Sequence, residues 1–182
     1  GPYLAMAMAN LGEFIRVSTE LQPFLMGIAV SVLMGIILTL PISSAALSII
    51  LSLSGLAAGA ATVGCSAQMI GFAVISFKAN GWNGLLAQGL GTSMLQVPNI
   101  MKKPIIWLPP IIASAILGPL ATLVFKMQNN PAGGGMGTSG LVGQLMTWQT
   151  MSGQMNKVHL LIIILFLHII LPAVLSLIVA NI

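Results

Sequence analysis

Residues 158–180 form an almost unbroken apolar run, and a segment of this length constrains the fold more than any other feature of the sequence. A helix of roughly 20 apolar residues crosses the hydrocarbon core of a bilayer. Lys157 precedes the run, and only His168 and Pro172 interrupt it. The segment predicts a transmembrane helix.

The composition excludes a soluble protein. Of the 182 residues, 57% are hydrophobic and only 4% are charged, whereas about a quarter of a soluble protein is charged. The net charge of +4 comes from Arg16 and five lysines, which stand at the ends of apolar runs: Lys78, Lys102, Lys103, Lys126 and Lys157. This spacing is typical of anchors beside a membrane and not of a nucleic-acid-binding stripe.

Three further apolar stretches are about long enough to span: residues 23–40, 57–77 and 104–125, the last kinked by Pro109, Pro110 and Pro119. Shorter or more polar pieces lie between them: residues 43–54, with Ser43 and Ser44 as candidate caps, 85–97 and 139–151. Short pieces beside spanning helices are typical of transporter sites built from broken helices. We predict an all-α fold, a polytopic helical membrane protein with about four full spanning helices plus short re-entrant or broken half-helices.

We expect one membrane domain over residues 1–182, with the transmembrane region at 21–182. Gly1 and Pro2 look like the remnant of a cleaved tag, so the chain is expected to be a fragment of a longer protein. Residues 3–20 predict an amphipathic or interfacial helix whose polar edge carries Glu13, Arg16 and Glu20. Alternatively, Glu13 or Glu20 faces a substrate cavity.

The lysines and Arg16 also bear on orientation. If the short pieces re-enter on the side they left, Arg16, Lys78, Lys102 and Lys103 share one face, and Lys126 and Lys157 share the other. The excess of positive charge predicts that the first face is cytoplasmic.

Enzymatic chemistry is not expected. The chain has no aspartate, and its two glutamates stand near the start, so neither a carboxylate pair nor a triad with an acidic member can form in the core. His159 and His168 are about 180° apart on a helix and cannot share an ion. Cys65 sits alone in an apolar run, which excludes a disulfide or thiolate metal site. We therefore expect no cofactor and no metal.

Residues 129–144 form a polar, glycine-rich interruption. They are not a phosphate-binding loop, because no Gly-Lys-Ser/Thr follows the glycines. The glycines leave a run of unhindered backbone N–H groups that leads to Thr138 and Ser139, and such groups suit hydroxyl or anionic ligands. The alternative is that the stretch is a flexible extramembrane loop. Gly137-Thr138-Ser139 also echoes Gly64-Cys65-Ser66 and Gly91-Thr92-Ser93. Each triplet is predicted to begin a helix.

Neutral polar side chains are what a site for an uncharged polyol or sugar requires, because they hydrogen-bond in defined directions without a fixed charge. His168 lies near mid-membrane, where an ionisable group is a functional candidate, or else it is a neutral histidine bonded to a neighbouring helix. The candidate substrate-binding residues are Gln68, Gln88, Thr92, Ser93, Gln96, Asn99, Gly137, Thr138, Ser139, Gln144 and His168.

Four stretches carry a family resemblance: residues 89–99 (GLGTSMLQVPN), 107–110 (WLPP), 115–121 (AILGPLA) and 135–144 (GMGTSGLVGQ). They resemble the IIC-like membrane subunits of the bacterial phosphotransferase system, the family that includes the perfringolysin regulator. The resemblance covers most of the chain, which is similar to the C-terminal half of members roughly twice its length.

The resemblance implies a multi-pass sugar-permease-like protein of the bacterial inner or plasma membrane that forms a homo-oligomer. The phosphoryl donor of such permeases is a separate cytoplasmic domain, so cytoplasmic phosphotransferase components are the implied partners, beside the solute and the lipid bilayer.

Our leading hypothesis is a transport subunit that binds a small, neutral, hydroxyl-rich solute between broken helices. One alternative is a non-transporting sensor or regulator that contacts a protein partner through Arg16, Lys78 and Lys102-Lys103. Another is a binder of lipid or a hydrophobic ligand, suggested by the twelve methionines.

Overall fold

The structure, a computed structural model, describes residues 22–40 and 43–181, together with seven positions between Pro2 and Glu13. Those seven positions are helical. The expectations for Gly1, Arg16 and Glu20 fall outside the described residues. Within the described part, the regular structure is helical except for one antiparallel bridge between Gly55 and Asn129. The all-α prediction is confirmed.

The α-helices of the described part follow in chain order. They are α1 (Pro23–Thr39), α2 (Ser44–Ile50), α3 (Gly55–Ile75), α4 (Phe77–Leu86), α5 (Val97–Lys102), α6 (Leu108–Pro119), α7 (Pro131–Gly134), α8 (Val142–Met151), α9 (Lys157–Leu165) and α10 (Leu171–Ala180). Tight 3₁₀ turns stand at Ser93–Gln96, Pro104–Trp107 and Ser139–Leu141, and wider π turns at Ala87–Gly91, Leu120–Val124 and Phe166–Ile170.

Three helical segments of the described chain are long and apolar enough to cross a membrane: Gly55–Ile75, Pro104–Val124 and Lys157–Ala180. Residues 23–40, the fourth stretch predicted to span, instead form the shorter helix α1, whose 17 residues end inside the protein at the buried Thr39. This is an integral membrane protein, as the apolar runs predict.

Local sequence signals account for several of the helix boundaries. The Ser43 hydroxyl accepts a hydrogen bond from the Ala46 N–H at 3.1 Å and so caps α2, as expected. Pro109 and Pro110 lie in the first turn of α6, where a missing N–H breaks no helical bond. Pro172 has no N–H to donate to the His168 carbonyl, and the π turn Phe166–Ile170 precedes it.

Helices α1, α3, α6 and α10 form the packed core, with α3 at its centre. Contacts between α1 and α3 show that these helices are parallel, because Ser31 lies beside Gly64 and Thr39 bonds to Gln68 further along both helices. Helix α6 is antiparallel to α3, since the Ser114 hydroxyl donates to the Gly64 carbonyl at 3.3 Å while Trp107 reaches Gln68.

Small residues let these helices approach closely. A Cβ added at Gly64 would lie 2.6 Å from the Ser31 Cα, and one added at Gly118 would lie 2.7 Å from the carbonyl carbon of Gly27. The Ser31 hydroxyl lies in the same contact and donates to the Ser114 carbonyl at 2.8 Å. Membrane helices associate through such close packing and hydrogen bonds between helices, because lipid supplies little hydrophobic drive between them.

The spans have two ends, which we call the Lys126 end (with Lys126 and Lys157) and the Lys102 end (with Lys78, Lys102 and Lys103). Helices α1, α3 and α9 begin at the Lys126 end, whereas α6 begins at the Lys102 end. The lysines thus divide into the expected groups, and Arg16 lies outside the described residues.

Within the described residues, three segments enter the core and return to the end they came from. The first hairpin is α1 with α2, and the third hairpin, residues 125–156, also enters from the Lys126 end, where Gly55 pairs with Asn129. The second hairpin, residues 76–103, enters from the Lys102 end. The predicted short re-entrant pieces are therefore present in the described chain.

Candidate functional site

The tips of the three hairpins meet beside the last third of α3. Thr39 ends α1, Ser93 follows the break in the second hairpin, and Thr138 stands at the turn of the third. All three residues are fully buried, as is Gln68 of α3. We call this region the hairpin junction.

Gln68 is the centre of the hairpin junction. Its Oε1 accepts hydrogen bonds from the Trp107 indole at 2.9 Å and from the Thr39 hydroxyl at 3.2 Å. Because an indole N–H only donates, the atom facing Trp107 must be the amide oxygen. The amide nitrogen then points elsewhere, and it is buried without a hydrogen-bond partner in the described part of the chain.

Ser93 joins the second hairpin to the first, since its hydroxyl lies 2.8 Å from the Thr39 hydroxyl. Ser93 begins a 3₁₀ turn that Thr92 caps by accepting from the Met94 N–H at 3.1 Å. Of the three Gly-Thr/Cys-Ser triplets, Gly91-Thr92-Ser93 therefore begins a helical turn as expected.

The third hairpin meets the second through two hydroxyl groups. Thr138 donates to the Gly89 carbonyl, and Ser139 donates to the Gly91 carbonyl at 2.9 Å. Gly137 turns the chain just before them, with a φ of +56° that favours glycine, and a Cβ there would lie 2.8 Å from the Cys65 backbone. Two of the triplets singled out in the sequence are thus in direct contact.

The third triplet, Gly64-Cys65-Ser66, does not begin a helix. It lies in the middle of the 21-residue helix α3, and Gly64 is required there by the close approach of the Ser31 backbone. The expectation of a helix start at this triplet was wrong.

The glycine-rich stretch is packed into the protein rather than exposed as a loop. Gly133, Gly134, Gly135 and Gly137 are buried, and the Ser44 hydroxyl of α2 donates to the Gly135 carbonyl at 2.6 Å. Several of its N–H groups are already bonded, including those of Ser139 to the Met136 carbonyl and of Gly143 to the Gly137 carbonyl. Its backbone is therefore less available to a ligand than the sequence suggested.

Three amides form a hydrogen-bonded row at the Lys102 end, and we call it the amide chain. Asn99 donates to Gln96 at 3.1 Å, Gln96 donates to Gln88 at 2.7 Å, and Gln88 donates to the Ser76 hydroxyl at 3.0 Å. Gln96 and Asn99 line two clefts of about 360 and 440 Å³. Asn99 is exposed, whereas Gln88 and Gln96 are buried.

Gln144 and His168 form a separate cluster. The Gln144 amide nitrogen lies 3.1 Å from His168 Nδ1 and donates to the Ser66 hydroxyl at 3.3 Å. This arrangement is that of a buried histidine bonded to a neighbouring helix, one of the two interpretations left open by the sequence. Ser66 and Gln68 are two residues apart and so lie about 200° apart around α3, which separates this cluster from the junction.

The structure thus brings Gln68, Ser93, Thr138 and Ser139 to the hairpin junction and places Gln88, Gln96 and Asn99 beside it. Sequence reasoning missed Thr39 and Trp107, which hold Gln68. Trp107 stands near the start of the apolar run 104–125, and nothing in its local sequence indicates its bond to Gln68. Among the described residues, no group of His, Cys, Asp and Glu could hold a metal ion.

Comparison with known proteins assigns the chain to a family. The family described as "Phosphotransferase system, EIIC" matches residues 1–182. The chain belongs to this family. The EIIC part of that system is a transport domain and is not itself catalytic, so this membrane protein has a transporter-like function. No curated protein and no solved structure matches the chain.

Proposed function

We propose that this EIIC-family chain binds a small, neutral, hydroxyl-rich solute of the sugar or polyol class at the hairpin junction and takes part in its transport. The observation that carries the proposal is the buried Gln68 amide nitrogen, which has no hydrogen-bond partner among the described residues. A buried donor left without an acceptor is destabilising by about 1–3 kcal/mol, and a solute hydroxyl would satisfy it.

The electrical character of the junction supports a neutral solute. Thr39, Gln68, Ser93, Trp107 and Thr138 are all uncharged, and the sequence has no acidic residue after Glu20. A charged solute would enter without a counter-ion from these side chains, and burying an unpaired charge is very unfavourable. The hydroxyl groups of a neutral solute would instead form hydrogen bonds with the threonine, serine and glutamine side chains, which both donate and accept.

The arrangement of the hairpins supports transport. The second hairpin enters from one end and the third from the other, and their tips touch at Gly89 and Thr138. A site at the meeting point of broken segments from opposite sides is typical of transporters. We place the protein in a bacterial plasma membrane, as a homo-oligomer working with cytoplasmic phosphotransferase components.

A binding experiment tests the assignment of Gln68. The protein in lipid nanodiscs is titrated with a panel of neutral sugars and polyols, and Gln68→Met is compared with Gln154→Met. Gln154 is exposed at the Lys126 end. We expect Gln68→Met to weaken binding of the solute found by at least about tenfold, since a lost hydrogen bond is worth about 1 kcal/mol and the Trp107 donor also loses its acceptor. Equal affinities of both variants would refute the role of Gln68.

Milder substitutions keep the test informative if Gln68→Met does not fold. Gln96→Ala and Ser139→Ala should each weaken binding and proteoliposome uptake roughly fivefold, whereas Ser152→Ala, outside the junction, should not. Unchanged binding in both variants would remove the junction as the site. Solute binding without uptake by the wild type would favour a sensor over a transporter.

A further inference from the structure

The cleft of about 360 Å³ at the Lys102 end has a composition that the solute site does not explain. Its volume falls at the lower end of ligand-sized sites, which measure about 300–1,000 Å³. Phe72, Ile75 and Ile106 form an apolar wall, Ser76, Gln96 and Asn99 a polar wall, and the cleft is completed by Lys102 and Lys103.

The two lysines of this cleft have no acidic partner in the transmembrane region. Both are exposed, and the sequence contains no aspartate or glutamate between residues 21 and 182. No acidic side chain of the transmembrane region therefore neutralises their positive charge, and the cleft is electrically complementary to an anion. The hydroxyl and amide groups of the polar wall add neutral hydrogen-bonding atoms to the same cleft.

The position of the cleft indicates which kind of anion it suits. Phe72 and Ile75 belong to the last turn of the spanning helix α3, so the apolar wall lies where the acyl region of a bilayer gives way to its headgroups. Basic pockets between membrane helices at this depth suit anionic lipid headgroups. A free phosphate would use the lysines but would leave the apolar wall unoccupied.

We propose that this cleft binds an anionic phospholipid. The phosphate lies between Lys102 and Lys103, and an acyl chain lies on Phe72, Ile75 and Ile106. The polar headgroup faces Asn99, which belongs to the amide chain and is bonded to Gln96. A bound lipid would in this way hold the second hairpin at its return to the membrane surface.

Native mass spectrometry of the purified protein in detergent tests the proposal with two lipids of equal chain length, phosphatidylglycerol and phosphatidylcholine. We expect one retained phosphatidylglycerol and little phosphatidylcholine. Lys102→Ala with Lys103→Ala should weaken phosphatidylglycerol binding about thirtyfold, since each lysine near a membrane surface contributes roughly fivefold. The matched control is Lys126→Ala with Lys157→Ala, which removes the same charge at the other end and should leave binding unchanged.

A second variant and a competitor separate a lipid from a free anion. Ile106→Ser adds a hydroxyl to the apolar wall and should weaken phosphatidylglycerol binding while both lysines remain. If inorganic phosphate binds and displaces phosphatidylglycerol from the wild type at millimolar concentration, the cleft is a phosphate site and the lipid proposal is wrong. Equal losses in the two double-lysine variants, or equal retention of both lipids, would also overturn it.

Discussion

Replacement of Gly64 by alanine should separate the two helices on which the hairpin junction depends. The added Cβ would lie 2.6 Å from the Ser31 Cα and 2.5 Å from the Ser31 carbonyl carbon, whereas carbon atoms pack best at about 3.5–4.0 Å. Helix α1 would therefore have to move by about 1 Å, because backbone atoms cannot rotate away as a side chain can.

The magnitude of this effect follows from two opposing terms. Overpacking typically destabilises a protein by about 1–3 kcal/mol, and contact with backbone places Gly64→Ala at the upper end of that range. Alanine in place of glycine favours the helix by about 1 kcal/mol. The net loss in the free energy of unfolding is then about 2 kcal/mol, which corresponds to a fall in Tm of roughly 4–8 °C for a chain of this size.

Thermal unfolding in detergent tests this prediction. A thiol-reactive dye follows the unfolding, because Cys65 is the single cysteine of the chain and is buried. Gly89→Ala is the matched control. Gly89 is buried, but a Cβ there would meet Ala73 and Ile70 at 3.7 Å, an ordinary contact, so its Tm should change little. A Gly64→Ala protein as stable as the wild type would show that α1 and α3 are not packed backbone to backbone.

Two further predictions concern the buried histidine cluster and the topology. Gln144→Leu leaves Ser66 and His168 without the amide they share and should lower the free energy of unfolding by about 1–2 kcal/mol, measured by the same dye assay, whereas the exposed Gln154→Leu should not. Asn80→Cys and Gln154→Cys should react with an impermeant maleimide from opposite sides of oriented vesicles, with buried Cys65 as a silent background. Labelling of both from one side would contradict the arrangement of the hairpins.

The sequence was a good guide to features set by local chemistry. Three of the four long apolar runs predicted spans, Ser43 predicted the cap of α2, and the polar character of residues 85–97 predicted a segment that does not cross the membrane. Each of these signals acts through a local hydrogen bond or through exposure to lipid, so a single stretch of sequence contains it.

The composition of the hairpin junction could not be predicted in the same way. Thr39, Gln68 and Trp107 come from three separate helices, and their bonds depend on α1 being parallel to α3 and α6 antiparallel to it. The same geometry explains why Gly64 lies within a helix and not at its start. It also explains why Gln144 and His168, which have the same polar character as the junction residues, face the other side of α3.

The contact between the second and third hairpins has a mechanical consequence. Two hydroxyl-to-carbonyl hydrogen bonds, from Thr138 and Ser139, join these tips, and each is worth about 1 kcal/mol. The tightly packed α1, α3 and α6, in contrast, cannot separate without exposing the backbone contacts around Gly64 and Gly118. Parting the two tips therefore costs less free energy than separating these helices, so the protein can yield in its interior, at the place where the segments from both ends meet.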